Sequence, residues 1–414
     1  MSMSRKKFLF YYEPSNIGGA QLLLARLAEY LIKQHEDVVL LRHAGKPNSF
    51  IQDFLDEKQY KYQKCYVSQE EKYIGKEIET LIVPLPTVFE LNKILSPESK
   101  VKIFQWDTHP TGVISNLAFG GLINRKGTSF TSLSRIFESK KYKRLRNFLK
   151  VSNNKGSLVF MCGTNFELNK TVFNLDFTPT YLPLPIKIDS ENPNQGIIAD
   201  DNSINISWLG RIDSVKSQLI EMVIKDCLEW NRSKETKIRF HIVGDGSHKE
   251  YLEKRYEDSQ IIFHGIIKNE YVGEFYQKNK IEITLNVGTS ALESASHGLH
   301  SVLLPGLECI PHYANTEKRY LPLFEVVDYD VSIKKNNQYN LRTFEELLQE
   351  GRQENTLKEL KLNSFKYVLQ SHKDDQVFEN FMQQLNATTL NYLDICSLNI
   401  FDQSTVQKIK KRLS

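Results

Sequence analysis

Ile204-Asn-Ile-Ser-Trp-Leu-Gly-Arg-Ile-Asp-Ser-Val-Lys216 is the stretch on which the reading of the fold turns. Ile204 to Leu209 is mostly apolar, with two β-branched isoleucines and a tryptophan, and it stops at Gly210. A short run of that kind, bounded by a turn residue, predicts a buried strand. Ser214 has the chemistry of a helix N-cap, which predicts a helix from about Val215. Arg211 and Lys216 then fall just past a strand's carboxyl end and beside a helix amino-terminus. Open α/β sheets bind ligands there. Helix amino-termini favour anions, and Arg and Lys add charge and donors. A diphosphate fits such a place; an arginine that only pairs with a carboxylate fits the same turn.

Three further stretches follow the same plan. Residues 238–246 read Ile-Arg-Phe-His-Ile-Val-Gly-Asp-Gly, a strand closed by the glycine turn at Gly244. Ile-Ile-Phe-His-Gly265 precedes Ile266, and the run Ile283 to Gly288 leads into Thr289-Ser290-Ala-Leu-Glu293. In this order the four stretches resemble the retaining glycosyltransferases of family 4. The resemblance is good over about 204–305 and looser over the first 185 residues. It implies an α/β chain of the GT-B class, two Rossmann-like doubly wound domains facing across a cleft. It also implies a donor site in the second domain, with Arg211 and Lys216 on the leaving diphosphate. Gly210, Gly244, Ile266, Gly288, Thr289, Ser290 and Glu293 would line the donor. Glu293 has the chemistry to accept from both ribose hydroxyls, and a place in the first turn of a helix would instead make it a partner of the helix dipole. Members of the family often carry a Glu eight residues before the helix Glu; Leu285 stands there.

The composition of the 414-residue chain, 40% hydrophobic and 25% charged, is that of a globular protein with two or three domains. No apolar run approaches the ~20 residues of a membrane span. The apolar run at 8–12 is short and stops at Glu13, which predicts a first strand rather than a leader. Five scattered cysteines, with no Cys-x-x-Cys pair, suit a reducing cytoplasm. Residues 1–185 hold 26 Lys and Arg against 17 Asp and Glu, and the remainder holds 28 against 33. A basic half joined to an acidic half predicts different partners for the two.

The first half begins with a β-loop-α-β unit: a strand at 8–12, a helix from Ala20 to Lys33 and a strand from Asp37 to Arg42. Gly18-Gly19 in the loop lets backbone approach a ligand closely, and beside the family it looks like the loop that meets the donor from the acceptor side. Strands are expected at 80–84, 101–105 and 157–162, with a helix at about 87–95. After the second of these comes Trp106-Asp107-Thr108-His109. The resemblance implies a histidine lining the sugar site in this region. Trp106 takes that place, so His109 and Asp107 become the catalytic candidates. Ser132 to Lys150 reads as one basic helix with interleaved aromatic and leucine residues. It is open to three readings: an interfacial helix on an anionic membrane, a patch for an anionic acceptor, or a solvated face. Nucleic acid is not expected, because no named binding motif is present.

The expected domains are 1–185 on the acceptor side, a linker at 186–203, the donor domain at 204–370, and a crossing helix and tail at 371–414. The second domain's strands are expected near 204–209, 237–243, 260–264, 281–286, 300–304 and 324–327. Thr343 and Glu346 stand at capping-box spacing. Asp328-Tyr-Asp330 is the one Asp-x-Asp, but it lies beyond the donor motifs. The two cations therefore predict transfer without a metal or other cofactor, the nucleotide sugar being a co-substrate. The expected activity is a retaining hexosyltransferase building a cell-surface polysaccharide, glycolipid or other glycan, in the cytoplasm or at the membrane's inner face. A silent subunit that positions a partner enzyme is the alternative.

Overall fold

The computed structural model describes residues 6–14, 19–126, 128–188, 203–306, 309–334 and 339–402. Gly18, most of the expected linker and the basic stretch 406–413 lie outside the described residues. The chain divides into two compact units, 1–185 with 375–414, and 186–374.

The first unit is built on β1 (Lys7–Phe10), β2 (Asp37–His43), β3 (Gln63–Val67), β4 (Glu79–Pro84), β5 (Lys102–Asp107) and β6 (Leu158–Phe160). All pairs are parallel, in the order β3-β2-β1-β4-β5-β6. β1, β2, β4 and β5 are buried along almost their whole length, as the strands of a parallel sheet covered on both faces are. β3 was not expected from the sequence. It is an edge strand with mostly exposed side chains, so it carries no apolar run. The helix Gly19–Lys33 buries Leu23, Leu24, Leu27 and Leu31.

The expected helix at 132–150 is two helices, Thr131–Phe137 and Ser139–Asn154. The break is at Glu138, whose buried carboxylate accepts from the amide of Ala118 at 2.8 and 2.9 Å. The helix Asp374–Ala387 belongs to the first unit almost entirely. Its Phe381 meets Trp106 and Phe104, and Tyr392 N–H bonds to Val101 O at 3.0 Å.

The second unit contains β7 (Ser203–Leu209), β8 (Lys237–Val243), β9 (Ile261–Gly265), β10 (Ile283–Asn286), β11 (His300–Leu303) and β12 (Leu321–Pro322). The order is β12-β11-β10-β7-β8-β9, parallel except for β11 with β12. The strand expected at 324–327 is absent: Leu323–Glu325 is a short helical turn, and buried Leu321 makes the edge pairing instead. Numbered from its own first strand, this sheet has the same order as the first one, 3-2-1-4-5-6. In that order the chain reverses its direction of travel between first and fourth strands, and the crevice there is where such folds bind ligands. The helix Phe344–Arg352 starts with the expected capping box of Thr343 and Glu346.

Candidate donor site and the residues around it

The turns that follow β7, β8 and β9 are laminated by backbone contacts. Gly210 N–H donates to Val243 O at 3.0 Å, Gly244 N–H to Gly265 O at 2.8 Å, and Ile212 N–H to Asp245 O at 2.9 Å. Gly244 has φ 140°, and a Cβ on it would lie 1.9 Å from Gly210 O. Only glycine fits that backbone approach. The structure therefore explains Gly244 by packing of one turn on the next, without a ligand.

On this platform stand the two cations. Arg211 is exposed, and half-buried Lys216 is the first residue of the helix Lys216–Ser233. Ser214 does not cap that helix. Asp213 does: its Oδ1 accepts from Val215 N at 3.1 Å and Lys216 N at 2.9 Å. The helix's first amides are thus occupied, so anion binding here falls to the side chains. Neither Arg211 nor Lys216 makes an ion pair among the described residues, whereas Arg319, Arg342 and Lys334 in the same unit are all paired. Burial, and then the neighbouring Arg211, hold the Lys216 ammonium below its ordinary pKa, against the opposing pull of Asp213. Two like charges that repel each other, with no carboxylate bridging them, leave a place for an anion.

The second half of the site begins at Gly288, with φ 73° and open space where a Cβ would be. It precedes the helix Thr289–Ser296, which has no side-chain cap. The first-turn amides of such a helix want acceptors. Thr289 and Ser290 are half-buried in that turn. Glu293 is the fifth residue of the helix, beyond the first turn, where the dipole has fallen off. It is half-buried, and Tyr276 feels its charge. Ile266 is 76% exposed just after β9.

Sequence reading missed the residue that joins these halves. Asn286 ends β10 fully buried; its Oδ1 accepts from Leu209 N at 2.8 Å and its Nδ2 donates to Ser294 Oγ at 3.1 Å. One amide side chain thus ties the Gly210-Arg211 turn to the helix carrying Glu293. The available signal was a polar residue at the end of an otherwise apolar strand. Leu285, one residue earlier, points to the opposite face and is part of the hydrophobic core.

In the first unit the sequence candidates divide. Trp106 is a core residue, its Nε1 donating to Leu182 O at 3.1 Å. Asp107, expected to be catalytic, has no solvent exposure. Its Oδ2 accepts from Asn169 Nδ2 at 2.9 Å and its backbone oxygen from Asn165 at 2.7 Å. Burial pushes its carboxyl well above the usual range, which the contacts with His109 and Asn169 only partly offset. Asp107 therefore holds the turn before His109 rather than reaching a ligand. His109 is exposed, and its Nδ1 accepts from Thr111 N at 3.3 Å, which places the neutral ring's proton on Nε2. Gly19 opens its helix with open space around the position of a Cβ.

The Asp-x-Asp and the basic helix are both engaged inside the protein. Asp330 is buried, 2.8 Å from Lys334 Nζ, and accepts from Tyr339 OH at 2.9 Å. Its charge is already committed inside the protein. In the basic helix, Lys141 is buried and donates to Ile400 O and Asp402 O, Arg144 pairs with Asp402 at 2.9 Å, and Lys150 pairs with Asp176 at 2.8 Å. Most of its charge thus fastens the chain's own segments. Lys140 and Lys143 remain exposed without ion pairs among the described residues, beside Ile136 and Phe137, which are 69% and 62% exposed.

No protein-family model matches the chain, and no curated protein matches it in sequence. Solved structures do match in fold. A glycosyltransferase from Rickettsia africae superposes with a TM-score of 0.54 at 10% identity, covering 93% of this chain and 98% of that one. The lipopolysaccharide outer core galactosyltransferase WaaB gives 0.51 at 12%, over 92% and 100%. An alpha-glucosyltransferase in complex with UDP and a 13-mer DNA gives 0.50 at 11%, over 92% and 100%. At such identities the likeness establishes the fold: two Rossmann-like units of the GT-B class.

Proposed function

We propose that the chain is a glycosyltransferase that takes its sugar from a nucleotide diphosphate donor held on the second unit. The observation that carries this is the couple Arg211 and Lys216 at the carboxyl end of β7, which make no ion pair among the described residues. They stand at the second unit's switch point, tied through Asn286 to the uncapped helix with Glu293. As the bond from sugar C1 to the phosphate oxygen breaks, its electron pair moves onto the diphosphate. Both cations then gain more from the transition state than from the bound donor, which is the condition for catalysis. Glu293 accepts from the ribose hydroxyls, and the amides at Thr289 and Ser290 meet phosphate oxygens. The acceptor hydroxyl adds to C1 and passes its proton to the departing diphosphate oxygen, and the resemblance to family 4 supports retention of the anomeric configuration.

With Asp330 bound to Lys334 and Tyr339, the two side-chain cations take the electrostatic role a metal would have. The acceptor we propose is a cell-surface polysaccharide, a glycolipid or another glycan. For a lipid-linked acceptor, Ile136, Phe137, Lys140 and Lys143 make a small apolar and basic contact for an anionic bilayer. UDP is the nucleotide to try first, because an alpha-glucosyltransferase of the same fold holds it. The decisive experiment is calorimetry with UDP, followed by donor hydrolysis with a panel of UDP sugars in EDTA. Binding and turnover that survive EDTA are expected; a strict divalent requirement would refute the metal-free scheme.

A second reading rests on Leu285. The core holds the position where a carboxylate beside the transferred sugar is frequent in the family. If the chain binds UDP but hydrolyses none of the panel, it is a silent subunit that positions a partner enzyme.

A further inference from the structure

The helix Thr289–Ser296 carries Glu293 and is only eight residues long. A helix of that length does not stand on its own hydrogen bonds, so its neighbours must fix it. Its buried face offers one large apolar side chain, Leu292, among Ala291, Ser294 and Ala295. Polar bonds therefore carry much of the task. Ser301 Oγ, from β11, donates to Ala291 O at 2.8 Å. Ser294 is fully buried and meets three partners at once: Asn286 Nδ2 at 3.1 Å, Ser290 O at 2.8 Å and Tyr276 OH at 2.9 Å. Tyr276 is buried too, and comes from the helix Val272–Lys278. Neither Ser294 nor Tyr276 is among the site residues expected from the sequence.

The direction of every proton in this cluster follows from one backbone amide. Leu209 N–H can only donate, so the Asn286 atom facing it is the carbonyl oxygen, and Nδ2 faces Ser294. Ser290 O can only accept, so the Ser294 hydroxyl donates to it. The serine's proton is then spent, and Tyr276 OH must donate to Ser294 Oγ. That oxygen gives one bond and accepts two, which is its full capacity. Burial first, opposed by the bond to Ser294, and then the charge of Glu293 hold the Tyr276 phenol well above its ordinary pKa, so the donor keeps its proton. A buried polar cluster in which every member is satisfied rigidifies its surroundings and favours one arrangement. Tyr276 thus reaches the helix through a single serine, the residue next to Glu293.

We propose that Tyr276 is a positioning residue of the donor site: acting through Ser294, it sets the orientation of the helix Thr289–Ser296, and so the place of Glu293 relative to Arg211 and Lys216. The link to the cations runs through Asn286 to Leu209, whose strand leads into the Gly210-Arg211 turn. Buried Tyr276 itself reaches no ligand. It decides where the carboxylate stands when ribose and diphosphate are held together. The donor role of Glu293 rests on the glycosyltransferase reading, whereas the fixing of the helix rests on the hydrogen bonds alone.

The test uses the full chain and Tyr276→Phe, which removes one oxygen and keeps the ring, with Ser294→Ala as a second variant; both are studied well below their melting temperatures. Calorimetry compares UDP, which reaches both Glu293 and the cations, with pyrophosphate, which reaches the cations alone. Each variant is expected to weaken UDP roughly fivefold, the scale of one neutral hydrogen bond, and pyrophosphate by less than about twofold. In a Glu293→Gln background, Tyr276→Phe should weaken UDP by less than about twofold, because the carboxylate it positions is gone. Hydrogen exchange over residues 287–298, read by mass spectrometry without nucleotide, should quicken roughly fivefold in Tyr276→Phe while β7 and β8 stay unchanged. The proposal is overturned if both variants bind UDP like the parent, or if pyrophosphate weakens as much as UDP, as a merely structural role would have it. It is equally overturned if the Tyr276 and Glu293 effects multiply, or if exchange in the helix does not change. No UDP binding by the parent, with quickened exchange in Tyr276→Phe, sinks the donor reading alone. UDP binding that depends on Glu293 but not on Tyr276 sinks the positioning alone.

Discussion

The two units repeat one strand order and differ in what they put at the same place. Beyond β7 in the second unit stand two cations without ion pairs among the described residues and a helix start without a side-chain cap. Beyond β1 in the first stand two tyrosines and Glu13, with Lys46 and Glu90 lining the same cavity, so both signs of charge meet there. The topology supplies a crevice in each case; the side chains on its rim decide what it attracts. A leaving diphosphate needs positive charge that strengthens as charge develops. The contrast teaches that function resides in the rim and not in the sheet.

The most severe way to break the contrast is to remove the cations. Arg211→Ala and Lys216→Ala are each expected to lower kcat by roughly 100-fold or more in donor transfer or hydrolysis, the usual cost of one electrostatic stabiliser. Lys216→Arg should restore only part, since a planar fork replaces a point charge. Near-normal turnover in both alanine variants would move the leaving-group site elsewhere.

Glu293→Gln keeps the shape and removes the charge. UDP affinity is expected to fall by roughly 1.5–3 kcal/mol, the range for a charged hydrogen bond. Equal affinities by calorimetry would leave Glu293 without a part in donor binding.

Asn286→Ala separates scaffold from charge in the same unit. It leaves Leu209 N–H without its buried acceptor, an expected loss of about 1–3 kcal/mol in urea unfolding, with weaker UDP binding alongside. Unchanged stability would show that Asn286 does not join the two halves.

The smallest effects concern pH, where the units should respond in opposite directions. In the second unit, burial and then His264 depress His241 to about 4, and burial followed by Arg342 and Lys361 depresses His300 to about 3. The unfolded chain takes up these protons near pH 6.5 and the folded chain does not. Stability present above pH 6.5 is therefore lost as pH falls toward 4 and 3. In the first unit the raised pKa of Asp107 has the reverse sign: its contribution is complete below about pH 4 and declines as pH rises. His241→Gln should reduce the fall in Tm between pH 6.5 and 4, by roughly a few degrees. Asp107→Asn should improve Tm at pH 8 relative to pH 4, with turnover changed little. A large loss of turnover in Asp107→Asn would restore Asp107 to the catalytic set.

Much of this protein was decided by local sequence. Ile204–Leu209 before Gly210, and Val243 before Gly244, announced buried strands and tight turns, because an apolar run and a glycine act over a few residues. The capping box of Thr343 and Glu346 was legible for the same reason. The alternation of strands and helices implied two doubly wound sheets, and Arg211 and Lys216 followed from their offset to one strand end. Tertiary structure decided the rest. Asp107 and His109 are two residues apart, yet one is sealed in and the other is open to solvent. Lys141 looked like its basic neighbours until the distant carbonyls of Ile400 and Asp402 claimed it. Asn286 joins Leu209, 77 residues away, to Ser294, and Tyr11 faces a cavity whose walls come from three separate segments. Periodicity and turn chemistry are local properties of the chain. Burial, charge pairing and side-chain hydrogen bonds depend on which distant groups the fold brings near, and those exist only once the sheets are assembled.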